Sequence, residues 1–284
     1  MKPLALALAL ALPVVAQTDD RRPPLFVLED ADSKVYLLGS VHVVPEGTLP
    51  LPPHVEAAYA DASVVAFELD LDAAQAGAQG MIAAATDEET VGDALSDEQK
   101  ATLAATLGML GLPGGAFDAF EPWFGAMTAG VLALQQSGLP VTAGGVDAHF
   151  FDRAKADDKE RVAFETVELQ TAAFDDLTTP TQVAFLMESI STPLDSMAAQ
   201  FQTLVDAWAV GADDELAALM NDGMGHPEVF EALLVTRNRA WIPQIESLLA
   251  RDENALVVVG AGHLVGESSV IAMLRQAGYT VERL

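Results

Sequence analysis

Two runs of this chain, Val64-Val65-Ala66-Phe67 and Ala255-Leu256-Val257-Val258-Val259, are apolar at every position and not at every second one. A strand with one wet face alternates, so an unbroken run belongs to a strand covered on both faces. Covering both faces takes helices on two sides of a sheet, which is how parallel sheets are built. The fold class that follows is α/β, with a mixed, mainly parallel central sheet formed by the N- and C-terminal parts of the chain and a large helical insertion between them.

The local punctuation agrees. Leu25 to Glu29 and Val35 to Leu38 are short apolar runs joined by Asp30-Ala31-Asp32-Ser33, whose side chains bond their own backbone, and they read as a hairpin. Pro52-Pro53 opens a helix through about Ala62. Ser96 to Gln99 reads as a capping box for a helix that Gly111 and Pro113 end. Pro140-Val141-Thr142 reads as a short strand, Asp147 to Ala156 as a helix capped by Asp147, and Arg161 to Phe164 as another strand. Residues 72–139 and 166–250 are mostly helical, with breaks at Pro180, Pro193, Gly211 and Asp222 to Gly225. Glu267 to Gln276 is expected to be a helix and Tyr279 to Val281 a last strand. With no internal repeat and no long linker, residues 17–284 read as one domain.

The first sixteen residues read as an address. Lys2 provides a positive start, Leu4 to Ala16 an apolar stretch, and Val14-Val15-Ala16 small residues before a cut, which predicts a signal peptide removed after Ala16 and a secreted or periplasmic protein. The stretch is shorter than the roughly 20 residues of a membrane span. Composition narrows the partners: 14 Lys plus Arg stand against 42 Asp plus Glu, a formal charge of -28 that disfavours nucleic acid and anionic bilayers. With no cysteine, a disulfide framework, a zinc-thiolate site and a thiol nucleophile are excluded, so any metal must be held by His, Asp or Glu.

Chemistry can be sought in five histidines. Val35 to Leu38 runs into Gly39-Ser40-Val41-His42, and Leu256 to Val259 runs into Gly260-Ala261-Gly262-His263, so each of these strands ends in GxxH. The glycines Gly39 and Gly260 permit tight turns or close backbone approach, and the imidazoles fall at the carboxyl edge where open α/β sheets bind ligands. The four-letter pattern alone is weak, since about 0.4 copies arise by chance at this composition. Gly223-Met224-Gly225-His226 also matches, but it follows a helical stretch and precedes Pro227, and it reads as a loop or cap. Glu68 and Glu165 end two further strands. If the strands are parallel neighbours, His42, Glu68, Glu165 and His263 meet as a set suited to Zn, Mn, Co or Fe(II), and metal-assisted hydrolysis becomes the chemistry to expect. On the residues alone a plainer reading stays open, in which each His caps a strand and each Glu pairs with Arg237 or a backbone amide. His54 is expected on the surface, and His149 either behind the site or as a structural residue. Trp123, Phe124, Met127 and Val131 recur at helical spacing and read as core. GxGxxG, P-loop, GxSxG and HExxH motifs are absent.

Taken in order, Leu38 to His42, Leu51-Pro52-Pro53, Val64 to Asp70, Pro122-Trp123, Gly145-Val146-Asp147, Phe164-Glu165-Thr166, Thr236 to Trp241, Val259 to Gly266 and Gly278-Tyr279 resemble the TraB/GumN family, which includes the Tiki-type proteins. The resemblance implies a metalloprotease-like hydrolase acting on a peptide or protein substrate, with a divalent ion, Mn or Co foremost, as cofactor. It places His42, His263 and Glu68 at the metal, Glu165 and Arg237 with Glu68 in the catalytic set, and Gly39, Gly260, Asp147, Asn238 and His149 behind them. Remote fold relatives include erythromycin-esterase-like and ChaN-like proteins, the latter linked to haem. A non-catalytic protein that binds haem, a metal or an envelope partner at the same site is therefore the competing expectation. Ser40 stands where the family more often has Thr.

Overall fold

The computed structural model of the chain describes residues 19–284, apart from 87, 88, 137, 139, 143 and 192. The expected signal segment, residues 1–16, lies outside the described residues. The chain begins with β1 (Leu25–Glu29), β2 (Lys34–Ser40), β3 (Val44–Pro45), α1 (Pro53–Asp61), β4 (Val64–Leu69), α2 (Leu71–Ala84), α3 (Val91–Ala94), α4 (Asp97–Met109) and α5 (Pro122–Gln136). There follow β5 (Val141–Thr142), α6 (Gly145–Ala156), β6 (Glu160–Glu165), α7 (Val167–Asp175), α8 (Thr179–Ser189), α9 (Leu194–Val210), α10 (Asp213–Met224) and α11 (Pro227–Phe230). A π-helical turn at Glu231–Val235 leads into α12 (Thr236–Leu249), and β7 (Ala255–Gly260), a 3-10 turn at Ala261–His263, α13 (Val270–Gln276) and β8 (Val281–Arg283) complete the chain.

Among the described residues the main sheet has six strands in the order β6-β4-β7-β2-β1-β8. The pairs β6-β4, β4-β7 and β7-β2 are parallel, and β1 runs antiparallel to both its neighbours. The hairpin forms as expected: Asp30 Oδ1 accepts from the backbone N–H of Asp32 and Ser33 at 3.2 and 3.0 Å and turns the chain between β1 and β2. β7, from the far end of the sequence, slots between β2 and β4, so the sheet cannot close until both ends of the chain are present.

The apolar runs face two cores, as their unbroken pattern requires. Leu38, Val65, Phe67, Leu256 and Val258 face one, where α1, α6 and α9 add Tyr59, Phe150 and Trp208. Leu37, Val64, Ala66, Val257 and Val259 face the other, where α12 and α13 add Trp241, Ile245 and Ile271. Successive strand residues alternate between the two, the period-2 geometry of the strand. A third apolar cluster joins α3, α4, α5 and α8 within the helical insertion.

Val141–Thr142 forms the expected short strand and pairs with β3 in a separate two-stranded ribbon. Other local expectations need three corrections. The N-cap of α6 is Gly144, in the left-handed region at φ 81°, so Asp147 lies within the first turn and its side chain is free for other work. α13 starts at Val270 under a Ser269 cap, and the last strand falls at Val281–Arg283. On α5, Trp123 is buried but Val131 is 58% exposed; the packed face is made of the small residues Ala126, Ala129 and Ala133. The capping box at Ser96 and Gln99 forms as expected.

Candidate functional site

Four adjacent strands, β6, β4, β7 and β2, point the same way, so their carboxyl ends form one continuous edge. Glu165 ends β6, Glu68 lies next to the end of β4, His263 closes the turn after β7, and His42 follows β2 by two residues. The register sets Ser40 beside Gly260 and Leu69 beside Glu165. Glycine is needed where these ends crowd: a Cβ on Gly39 would come within 3.1 Å of the Cα and Cβ of Ala261. A Cβ on Gly260 would lie 3.2 Å from Glu68 Oε1 and 3.7 Å from His42 Nε2, which shows how closely the three groups approach one another.

His42 reaches the edge from the α6 side of the sheet. Its Nδ1 is 2.8 Å from Asp147 Oδ2, and Ser40 Oγ donates to the other carboxylate oxygen of Asp147 at 2.6 Å. The Asp147 bond and charge raise His42 well above its ordinary value, and Glu68 adds to this. The side chain is 71% exposed, so water screens part of that effect. Asp147 holds the Nδ1 proton and turns Nε2 toward Gly260 and Glu68.

His263 approaches from the α12 side and is buried. Asn238 Nδ2 donates to the Ser268 carbonyl at 2.9 Å, which directs Asn238 Oδ1 at His263 Nδ1, 2.6 Å away. The Nδ1–H must therefore donate, leaving the lone pair on Nε2. Burial lowers His263 to about 4, so the ring is neutral at ordinary pH. Trp241 packs on it, ring centroids 4.3 Å apart.

Glu68 is buried between the two histidines. Oε1 accepts from the Gly260 N–H at 2.6 Å and stands 3.7 Å from His263 Nε2; Oε2 accepts from Arg237 Nη2 at 2.6 Å. Burial alone would raise Glu68, but positive charge from His263, Arg237 and His42, with the Gly260 N–H, holds it down at about 2. Since His263 is itself uncharged above about pH 4, Arg237 is the main counter-charge at neutral pH.

Arg237 spends all five N–H groups. Nε donates to Glu165 at 2.8 Å, Nη1 to the Leu233 carbonyl at 2.9 Å and to His263 Nε2 at 3.3 Å, and Nη2 to Glu68 at 2.6 Å and Glu165 at 2.9 Å. It has no donor left for a developing oxyanion, so here it acts as a counterion that positions Glu68. Glu165 is committed as well, since its Oε1 also accepts from Trp241 Nε1 at 2.9 Å. The plainer expectation, that both carboxylates pair with Arg237 or a backbone amide, therefore describes this arrangement. A Glu68 held at about 2 is also poorly matched to the work of a general base near neutrality.

His149 is not part of the cluster. Two residues beyond Asp147 on the same helix it faces another way, packs on Phe150 and leaves Nε2 buried without a hydrogen-bond partner. His54, expected on the surface, is half-buried with Nε2 likewise unpartnered. His226 caps α11 by accepting from the Glu228 N–H. Sequence reasoning gave no role to Trp241, which lies at the i+4 position from Arg237, a spacing that could have flagged it. Above His42, a cleft of ≈ 210 Å³ is lined by Phe67, Glu68, Leu71, Asp147 and Gln170.

By kind, the donors suit a divalent ion: two imidazoles, each with Nδ1 fixed by an oxygen behind it, and a carboxylate oxygen. By arrangement they are not gathered, for among the described residues no three His, Asp or Glu side chains stand as a metal-holding group. His263 Nε2 has one lone pair, so Arg237 and a cation exclude each other there.

Fold and site together define a class: an α/β protein with a His-Glu-His cluster on the carboxyl edge of four parallel strands. The chain belongs to the TraB/PrgY/gumN family, whose model matches residues 24–283. It is 37% identical over 94 residues to the metalloprotease TIKI homolog of Amphimedon queenslandica, a match covering 30% of this chain and 18% of that protein's length. It is 23% identical over 253 residues to the uncharacterized protein YbaP of Escherichia coli (strain K12), covering 89% of this chain and 92% of that one. The YbaP protein of Shigella flexneri is 24% identical over 240 residues, covering 84% and 87%. No solved structure matches.

Proposed function

We propose that this chain is an exported metal-dependent hydrolase of peptide bonds, with His42 Nε2, His263 Nε2 and Glu68 Oε1 as the groups that would hold the ion. The observation that carries the reading is the paired tautomer control: Asp147 and Asn238 each fix an Nδ1, so both rings direct Nε2 to the edge where Glu68 lies. A histidine that serves only as a strand cap does not need a second group holding its far nitrogen. A divalent ion supplies Lewis acidity to a water and to a carbonyl oxygen. The chain's own contribution is position and charge: Asp147 holds the Nδ1 proton of His42, Asn238 that of His263, and Arg237 keeps Glu68 ionised. The similarity to a metalloprotease homologue supports the reaction class. Among the described residues no helix is long and apolar enough to cross a membrane, which is compatible with an exported chain after signal removal.

The test is elemental analysis of protein stripped and then reloaded separately with Mn, Co and Zn, beside the His42→Ala/His263→Ala double variant. About one ion per wild-type chain, lost in a double variant that keeps its circular dichroism, is expected. Loading should weaken as pH falls, because the Nε2 proton on the raised His42 competes with the cation. No ion under any condition, or full loading of the double variant, overturns the proposal. Peptide-library hydrolysis by the loaded wild type then tests the reaction.

A further inference from the structure

A second cavity, of ≈ 410 Å³, is lined by Arg237 and not by His42, whereas the cleft above His42 is lined by that residue and not by Arg237. Leu169, Ala172 and Ala173 of α7 form one wall, Ala240 and Trp241 of α12 the other, and the Glu165-Arg237 pair is the floor. Its size falls within the roughly 300–1,000 Å³ of small-ligand pockets, whereas the cleft above His42 is smaller than that range. The floor is charged but spent, since Glu165 accepts from Arg237 and Trp241 and the Arg237 donors are all engaged. An occupant therefore meets the methyl groups and indole of the two walls, with Thr236 and Gln244 as polar neighbours and the Asp176 carboxylate at the rim. Leu169 at the mouth is 62% exposed, a large apolar side chain left in water.

The cavity and the edge share a wall one guanidinium thick. The Arg237 side chain that floors the cavity also touches Glu68 at 2.6 Å and His263 at 3.3 Å. An extended peptide advances about 3.3–3.6 Å per residue, so a side chain in the cavity belongs to a residue near in sequence to a bond held at the edge. The π-helical turn at Glu231–Val235 contributes Ala232 to the lining and sets the start of α12, and such turns occur often at functional sites.

Building on the hydrolase reading, we infer that this cavity is the specificity pocket of the same site and takes one bulky apolar side chain of an extended peptide. The exposed Asp176 on its rim makes an acidic neighbour in that peptide unfavourable.

Two measurements separate this inference from the hydrolase reading. In the first, N-acetyl-leucinamide is titrated into the mature chain while alanine and leucine methyl resonances are followed by NMR, with N-acetylglycinamide as control. Shifts confined to Leu169, Ala172, Ala173 and Ala240 are expected, absent with the glycine compound. They should disappear in Ala240→Trp, which fills the mouth from an exposed position, and in Leu169→Glu, which charges it. No shift up to the solubility limit, or equal shifts in both variants, overturns the pocket. In the second, peptides varied at one position are compared by kcat/KM in the metal-loaded enzyme. A bulky apolar residue should be preferred over glycine by roughly 10–200-fold, a preference that falls toward unity in Ala240→Trp. Hydrolysis without that preference overturns the pocket and leaves the hydrolase standing; leucinamide binding without hydrolysis of any peptide leaves an apolar side-chain site but overturns its role as a specificity pocket together with the hydrolase.

Discussion

Replacing Arg237 with methionine tests the electrostatics of the site most directly. The variant keeps an apolar stem of similar reach and removes the charge, leaving Glu68 and Glu165 buried without their shared counterion. In the wild type Glu68 falls from an ordinary 4.5 to about 2, worth about 3 kcal/mol of stability at neutral pH at roughly 1.4 kcal/mol per tenfold. That figure belongs to His263, Arg237, His42 and the Gly260 N–H together; removing one partner of a buried ion pair costs about 3–5 kcal/mol in general, which is the loss expected here. Against a total stability of about 5–15 kcal/mol the variant stays folded enough to measure. The sign follows from the direction of each shift. A lowered carboxyl stabilises above its unfolded value, so the wild-type contribution is present above pH 4.5 and lost as pH falls toward 2. In the variant, burial is opposed only by the histidines and the Gly260 N–H, so Glu68 rises from its wild-type value, and the stability it contributes falls off at a higher pH than in the wild type. The gap between the two proteins should therefore be widest near pH 7 and narrow toward pH 4.5. Urea unfolding followed by circular dichroism across that range is the assay. A loss under about 1 kcal/mol at pH 7, or an equal loss at pH 5 and pH 7, would refute the assignment of Arg237 as the neutralising counterion.

Two further substitutions probe the His42 side of the edge. Asp147→Asn removes the charge that raises His42, and an NMR titration should show the imidazole falling by roughly one unit or more; no change would place the source of the shift elsewhere. Gly145→Ala should cost about 2–4 kcal/mol, because Gly145 has φ +53° and a Cβ there would sit 2.1 Å from the Val41 carbonyl oxygen. Calorimetry should record a midpoint about 5–15 °C lower, and an unchanged midpoint would mean that α6 does not depend on that close approach.

The local physics of this chain is written along it. Runs apolar at every position declare strands buried on both faces, Asp30 to Ser33 declares a turn, Ser96 and Gln99 a cap, and two strands running into GxxH declare where imidazoles will stand. These follow from interactions a few residues long, and so the α/β class, the hairpin and the ends of most elements were legible. The family resemblance marked His42, Glu68 and His263, but it could not say what each touches. That was decided by long-range packing: β7 entering between β2 and β4 gathers residues more than 200 positions apart, such as His42 and His263, at one edge. Which carboxylate is free depends on where one guanidinium points, and Arg237 takes both Glu68 and Glu165. Asp147 looked like a helix cap and became the partner of His42 because Gly144 took the capping position. His149 left the site because two helical residues apart means different faces. Sequence spacing fixes the face of an element on which a side chain lies; only the packed fold fixes what that face meets, because the free energy of a buried charge depends on neighbours brought from anywhere in the chain.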